Sequence, residues 1–212
     1  AGLGTEAERA VSGSPSPEPR MTGAHLRHDG PMTAEDLYAL PDDGFHHYEL
    51  VRGRLVVEES PGYLHGCTAG EVYWRLRQFV EPRRLGALVL RSGYVIERRP
   101  DSVFGPDVSF LAAARVPRGA ARERFVEGVP DLAVEIRSPS DRPGEIAAKV
   151  ADYLRRGTRL VWVLDPRRRT VVVHAPGAPA RPLHAGETLD GGEVLPGFAC
   201  VVGELFPTDD GA

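Results

Sequence analysis

The chain has 212 residues, 42% of them hydrophobic, enough to bury a full core in one domain with a tail. Its net charge of −4 gives no global attraction to nucleic acid, so any such contact has to come from a local patch. No apolar run approaches the ~20 residues that cross a bilayer, and Cys67 and Cys200 lie far apart without metal-ligand spacing, so a cytoplasmic protein in a reducing compartment is expected.

Residues 1–31, rich in Gly, Ser, Pro, Glu and Arg, are expected to form a disordered tail ahead of a domain at 32–207, with 208–212 as a flexible end. Thr33-Ala34-Glu35-Asp36 resembles a capping box that opens a short helix, and Pro41-Asp42-Asp43-Gly44 stops it. Two apolar runs, 48–51 and 54–57, flank Arg52-Gly53, which reads as a tight hairpin turn with Gly53 at positive φ. Glu49 therefore lies on a strand, either as cross-strand partner to an arginine such as Arg54 or as a site acid. Apolar positions at helical spacing predict an amphipathic helix over 66–80, ended by Pro82, with His65 just before it as a cap or surface residue. Residues 88–90 and 94–96 read as a strand, or a bent strand pair, around Gly93. Gly105-Pro106-Asp107-Val108 then opens a short strand with Asp107 at its entrance, a turn residue or a functional acid. Residues 112–130 read as a loop with a weak helix; Arg115, Arg118, Arg122 and Arg124 make it either a solvated basic loop or one that faces phosphate.

The stretch 131–140 carries the chemistry. Leu132, Val134 and Ile136 alternate onto one face of a buried strand and leave Ala133, Glu135 and Arg137 on the other. A carboxylate in a buried strand needs a compensating cation. Ser138 and Ser140 belong to a turn, and a helix follows over 144–156, closed by Gly157. Ile146, Val150, Tyr153 and Leu154 form its buried face with Lys149 on the flank, while Glu145, Asp152, Arg155 and Arg156 are placed on the far side. Lys149 is the chain's only lysine beside 25 arginines, and lysine, unlike arginine, is a compact charge that burial can tune. The apolar run 160–164 reads as a strand covered on both faces, parallel to the Glu135 strand through a right-handed βαβ unit. An antiparallel edge strand over 170–174, a loop over 175–192 and a strand within 193–206 complete the chain.

Asp107, Glu135 and Lys149 would thus bring two carboxylates and an ammonium to one cleft. Hard oxygen ligands of this kind bind Mg²⁺, and a lysine beside them suits charge that grows on a phosphate. That combination points to phosphodiester hydrolysis.

Several segments together resemble the Uma2-type proteins of the PD-(D/E)XK restriction-endonuclease-like superfamily. They are Tyr48-Glu49-Leu50-Val51-Arg52-Gly53-Arg54-Leu55, Pro106-Asp107-Val108, Pro130-Asp131-Leu132-Ala133-Val134-Glu135-Ile136 with Ser138-Pro139-Ser140, Lys149 with Tyr153-Leu154, Val161-Trp162-Val163-Leu164-Asp165-Pro166, and Leu195-Pro196-Gly197-Phe198. The resemblance covers residues 32–206 and implies an α/β fold: a restriction-endonuclease-like mixed β-sheet flanked by helices, with additional antiparallel β-hairpins. It also implies a Mg²⁺-dependent endonuclease acting on DNA, with Mn²⁺ as a substitute ion. Asp107 and Glu135 would be metal ligands with the Ile136 carbonyl, and Lys149 would be the superfamily lysine displaced onto the next helix, because Arg137 fills the usual slot. Glu49 resembles the extra acid of such nucleases, and a homodimer presenting two sites is expected for double-strand cleavage. The alternatives are a catalytically inactive DNA-binding or assembly module on the same fold, motivated by Arg137, and a hydrolase of a smaller phosphate ester.

Overall fold

The computed structural model describes residues 30–41, 46–58 and 60–208. Residues 1–29 of the expected N-terminal tail, the stop at Asp42-Asp43-Gly44 and all but Thr208 of the expected flexible end lie outside them.

Thr33 caps helix α1 (Ala34–Tyr38) through a capping box closed by Asp36. Strands β1 (His47–Val51) and β2 (Arg54–Glu58) form the expected hairpin, with Arg52 at φ 49° and Gly53 at φ 76°. Helix α2 (Tyr63–Arg83) is longer than the sequence suggests: it begins ahead of His65 and passes through Pro82 to a left-handed cap at Arg84. Pro82 sits in the last turn, where it removes the N–H that would bond the carbonyl four residues back, and the chain leaves the helix two residues later. Leu88 and Tyr94, expected in one strand or strand pair, belong instead to two sheets, through β3 (Gly86–Leu90) and β4 (Tyr94–Glu97). A turn containing Arg91 at positive φ separates them.

Strands β5 (Ser102–Phe104), β6 (Val108–Ala112), β7 (Val126–Glu127) and β8 (Leu132–Ile136) follow, then helix α3 (Pro143–Arg156) with Gly157 at φ 107° as its cap. Strand β9 (Leu160–Asp165) runs parallel to β8, as expected of a βαβ unit. Strand β10 (Thr170–His174) pairs antiparallel with β9 but is not an edge, because β11 (Arg181–Leu183) adds outside it. The presumed loop 175–192 thus holds β11 and also β12 (Thr188–Asp190), which pairs with β13 (Ala199–Val201). Both are three-residue strands, too short to show a period in the sequence.

Among the described residues the strands order as β11-β10-β9-β8-β6-β3 in a mixed sheet and β2-β1-β5-β4-β7 in a second sheet, with β12-β13 as a separate pair. Alternation along the central strands builds two cores. Leu132, Val134, Ile136, Trp162 and Leu164 pack with Val72, Leu76 and Val80 of α2. On the other face Ala133, Val161 and Val163 pack with Val150 and Tyr153 of α3 and with Tyr94 and Phe104 of the second sheet. Both faces of β8 are therefore dry, and Glu135 enters the space between the two sheets.

The basic loop over 112–130 forms two short 3₁₀ turns, Ala113–Arg115 and Gly119–Glu123, followed by β7. It leaves β6 at the end opposite Asp107, and Arg115 is committed to Asp131 at 3.0 Å. The stretch sits away from the acids rather than over them.

Candidate active site

Three elements converge on one cleft of about 540 Å³: the β1–β2 hairpin, the C-terminal end of β8 and the inner face of α3. Strand alternation decides who enters it. Leu50 points to the core under α1, so Glu49 points the opposite way, toward α3. Lys149 meets it there, with Nζ 2.8 Å from Glu49 and 3.1 Å from Glu135. The Tyr153 hydroxyl, one helical turn on, donates to the second Glu135 oxygen at 2.9 Å. Glu49 also accepts the Gly105 N–H at 2.6 Å. Glu58 stands 3.8 Å from Lys149, at the more open side of the cleft.

Asp107 lies in the same cleft at the head of β6. Its Oδ2 accepts the Ile136 N–H at 2.8 Å, and His65 Nε2 is 3.2 Å from that same oxygen. Arg91 lines the cleft next to it.

The charges explain the electrostatics. Seven carboxylates line this cleft, with those of Glu49, Glu58, Asp107 and Glu135 joined by Asp141, Glu145 and Asp152, against one lysine, Lys149, and one arginine, Arg91. Burial pushes the Glu135 carboxyl up to about 8; Lys149 opposes the rise, while Asp107 and Glu49 add to it. Burial and the neighbouring Glu49 likewise raise Glu58 to about 7. Burial works against the Lys149 ammonium, yet Glu135, Glu49 and Glu58 together hold its pKa well above the usual value. Burial and the nearby Arg91 hold the His47 imidazole below its ordinary value. The cleft is short of positive charge.

A family model described as "Uma2: Putative restriction endonuclease" matches residues 34–203. The chain belongs to the Uma2 family. Among solved structures it is similar to "a putative nuclease belonging to DUF820" from Anabaena variabilis, at 21% identity and a TM-score of 0.72, over 82% of this chain and 97% of that one. At that identity the likeness is one of fold. No curated protein matches.

The structure brings together Glu49, Glu135 and Lys149 of the residues singled out by the Uma2 resemblance, with Asp107 and the Ile136 backbone at the same cleft. It takes Arg137 elsewhere, to Asp165 at 3.3 Å. Glu49 does not pair with Arg54; its cross-strand neighbour is Val56 and its cation is Lys149. Ser138 and Ser140 form the expected turn and line the mouth. Glu145 and Asp152, expected on the far side of α3, also line the cleft, because the hairpin extends over that helix flank.

His65 is the largest revision. It lies inside the first turn of α2 and is only 9% exposed, facing Asp107 rather than solvent. His47 and Glu58 join Glu49 as well, and the hairpin register contains both. Counting outward from Arg52-Gly53 sets His47 directly opposite Glu58, with Glu49 on the same face as His47. Donor atoms of these three fall within 4.8 Å of one another, a grouping that could hold a metal ion. Asp107 and Glu135 offer further carboxylate oxygens to the same space. Hard oxygen donors in excess over their cations, one of them raised to about 8, fit a divalent cation in this Uma2 cleft.

Proposed function

We propose that the protein is a Mg²⁺-dependent endonuclease that hydrolyses DNA phosphodiester bonds, with Mn²⁺ able to replace Mg²⁺. Membership of a family described as a putative restriction endonuclease supports the nuclease class. The observation that carries the site assignment is Lys149: from the helix after β8 it reaches Glu135, although Arg137 occupies the position two residues after that acid.

Asp107 and Glu135 would hold the ion, joined by the Ile136 carbonyl. That carbonyl projects from the same strand edge as the N–H bonded to Asp107. When bound, the ion would supply Lewis-acid polarisation of the phosphate and acidification of a water. Lys149 has three N–H donors; Glu49 and Glu135 engage two, and the third is available to orient the attacking water or to meet charge growing on a phosphoryl oxygen. Attack forms the new P–O bond in line as the bond to the leaving sugar oxygen breaks. Tyr153 and the Gly105 N–H keep Glu135 and Glu49 in place throughout. Arg137, tied to Asp165, takes no part.

Supercoiled plasmid with Mg²⁺ tests this. The parent chain nicks or linearises it, while Asp107→Ala and Glu135→Ala each abolish cleavage. Cleavage unchanged in both variants would sink the assignment.

A second reading, an inactive DNA-binding or assembly module, draws on one observation: Glu49 and Glu135 already find a cation in Lys149, as structural ion pairs would. Calorimetric titration with Mg²⁺ and Mn²⁺ separates the two, since such a module binds neither. A homodimer with two clefts on one duplex fits double-strand cleavage, and sedimentation of the free chain tests it.

A further inference from the structure

We infer that His65 is a positioning residue that fixes the Asp107 carboxylate for the divalent cation. The inference rests on the reading of Asp107 as a cation ligand and adds a residue to it. Oδ2 of Asp107 already accepts one hydrogen bond, and the His65 Nε2 that faces it at 3.2 Å is placed to donate a second. The Ile136 N–H donates to the same Oδ2 at 2.8 Å. Two donors on Oδ2 hold the carboxylate by that oxygen, so a cation would meet it at Oδ1.

Packing does not account for a histidine here. The side chain is buried, and its other nitrogen, Nδ1, is enclosed without a hydrogen-bond partner among the described residues. An apolar residue of similar size would fill that space without an orphaned polar atom, so the imidazole is explained by what Nε2 does. The backbone behind it is rigid. Val72, Leu76 and Val80 lock α2 into the core against β6 and β8, the strands that present Asp107 and Ile136. A carboxylate that ligates a metal is commonly oriented by such an outer partner, whose loss weakens metal affinity.

The test is calorimetric titration of the full chain with Mn²⁺ alone, accompanied by a thermal melt in EDTA. Replacing the imidazole with His65→Leu is expected to weaken Mn²⁺ binding by about 10–100-fold with the fold intact. His65→Gln carries an amide donor to nearly the Nε2 position and is expected to stay within about threefold of the parent. If the leucine variant does not fold, His65→Asn takes its place: it is polar but too short to reach Asp107, and should lose affinity where Gln keeps it. Parent-like Mn²⁺ affinity in the leucine or asparagine variant overturns the inference, as does a glutamine variant as weak as they are. Asp107→Asn serves as the control. If it weakens Mn²⁺ binding and the His65 variants do not, only the role of His65 falls; if it too leaves affinity unchanged, the assignment of Asp107 falls with it.

Discussion

Lys149→Met removes the cation that Glu49 and Glu135 share while keeping the length of the side chain. The three side chains are only 12%, 4% and 6% exposed, so water replaces the ammonium poorly. Breaking a buried pair by deleting one partner costs about 3–5 kcal/mol. For a chain of this size each kcal/mol lowers the melting temperature by about 2–4 °C, which gives a drop of roughly 6–20 °C. The loss should depend on pH in a fixed direction. Burial already raises the Glu135 carboxyl to about 8, and removing Lys149 raises it further. A carboxyl whose folded pKa lies above its unfolded value of roughly 4.3 destabilises the fold as pH rises between the two. The gap between variant and parent should therefore stay constant below about pH 8, where Glu135 is protonated in both, and widen above it, where the parent's carboxyl ionises beside Lys149 and the variant's does not. Scanning calorimetry in EDTA at several pH values measures this, and Glu135→Gln added to Lys149→Met should restore part of the loss. A melting difference under about 2 °C that does not change with pH would refute the reasoning.

Three further outcomes are expected. Asp131, buried at the start of β8, is pulled below the usual carboxylate range; burial opposes its charge, but the Ala112 N–H, Arg115 and Arg159 outweigh it. Asp131→Asn should thus cost about 2 kcal/mol at pH 7, and the gap to the parent in urea unfolding should close as pH falls below about 4, where the native contact is lost. Gly86 in β3 has no room for a methyl group: a Cβ would stand 1.9 Å from the Leu111 carbonyl oxygen. Because that neighbour is backbone, Gly86→Ala should cost about 1–3 kcal/mol, visible as a lower melting temperature. Arg91 lines the cleft beside Asp107, and Arg91→Ala should weaken DNA binding across all sequences and reduce the slope of log affinity against log salt by about 1, measured by fluorescence anisotropy.

The elements best read from the sequence are those whose signal is local. Arg52-Gly53 specifies its hairpin turn, Thr33 with Asp36 its helix cap, and the unbroken apolar run 160–164 a strand buried on both faces. Asp107, Glu135 and Lys149 stood out because charge is rare in such surroundings, and the structure sets all three at one cleft. The role of His65 is not local to its own segment. Whether a histidine in a first helical turn meets water or a buried acid depends on where β6 lies, and strand β6 is some forty residues further along the chain. The same holds for β10, which looked like an edge because its outer neighbour β11 is three residues long and contains Pro182. His47 and Glu58 were within reach, since the turn fixes their register, but neither interrupts an apolar pattern and so neither drew notice.

The lone lysine also makes this cleft chemically addressable. With every other basic side chain except the histidines an arginine, an amine-reactive reagent has a single side-chain target, Lys149, besides the α-amine of the chain. Held between Glu49 and Glu135 the ammonium is a poor nucleophile, so its rate of acylation reads out the state of one pair of contacts. Anything that enters the cleft and changes those contacts would register as a change in labelling at one mass-resolved position, without a mutation or an engineered probe.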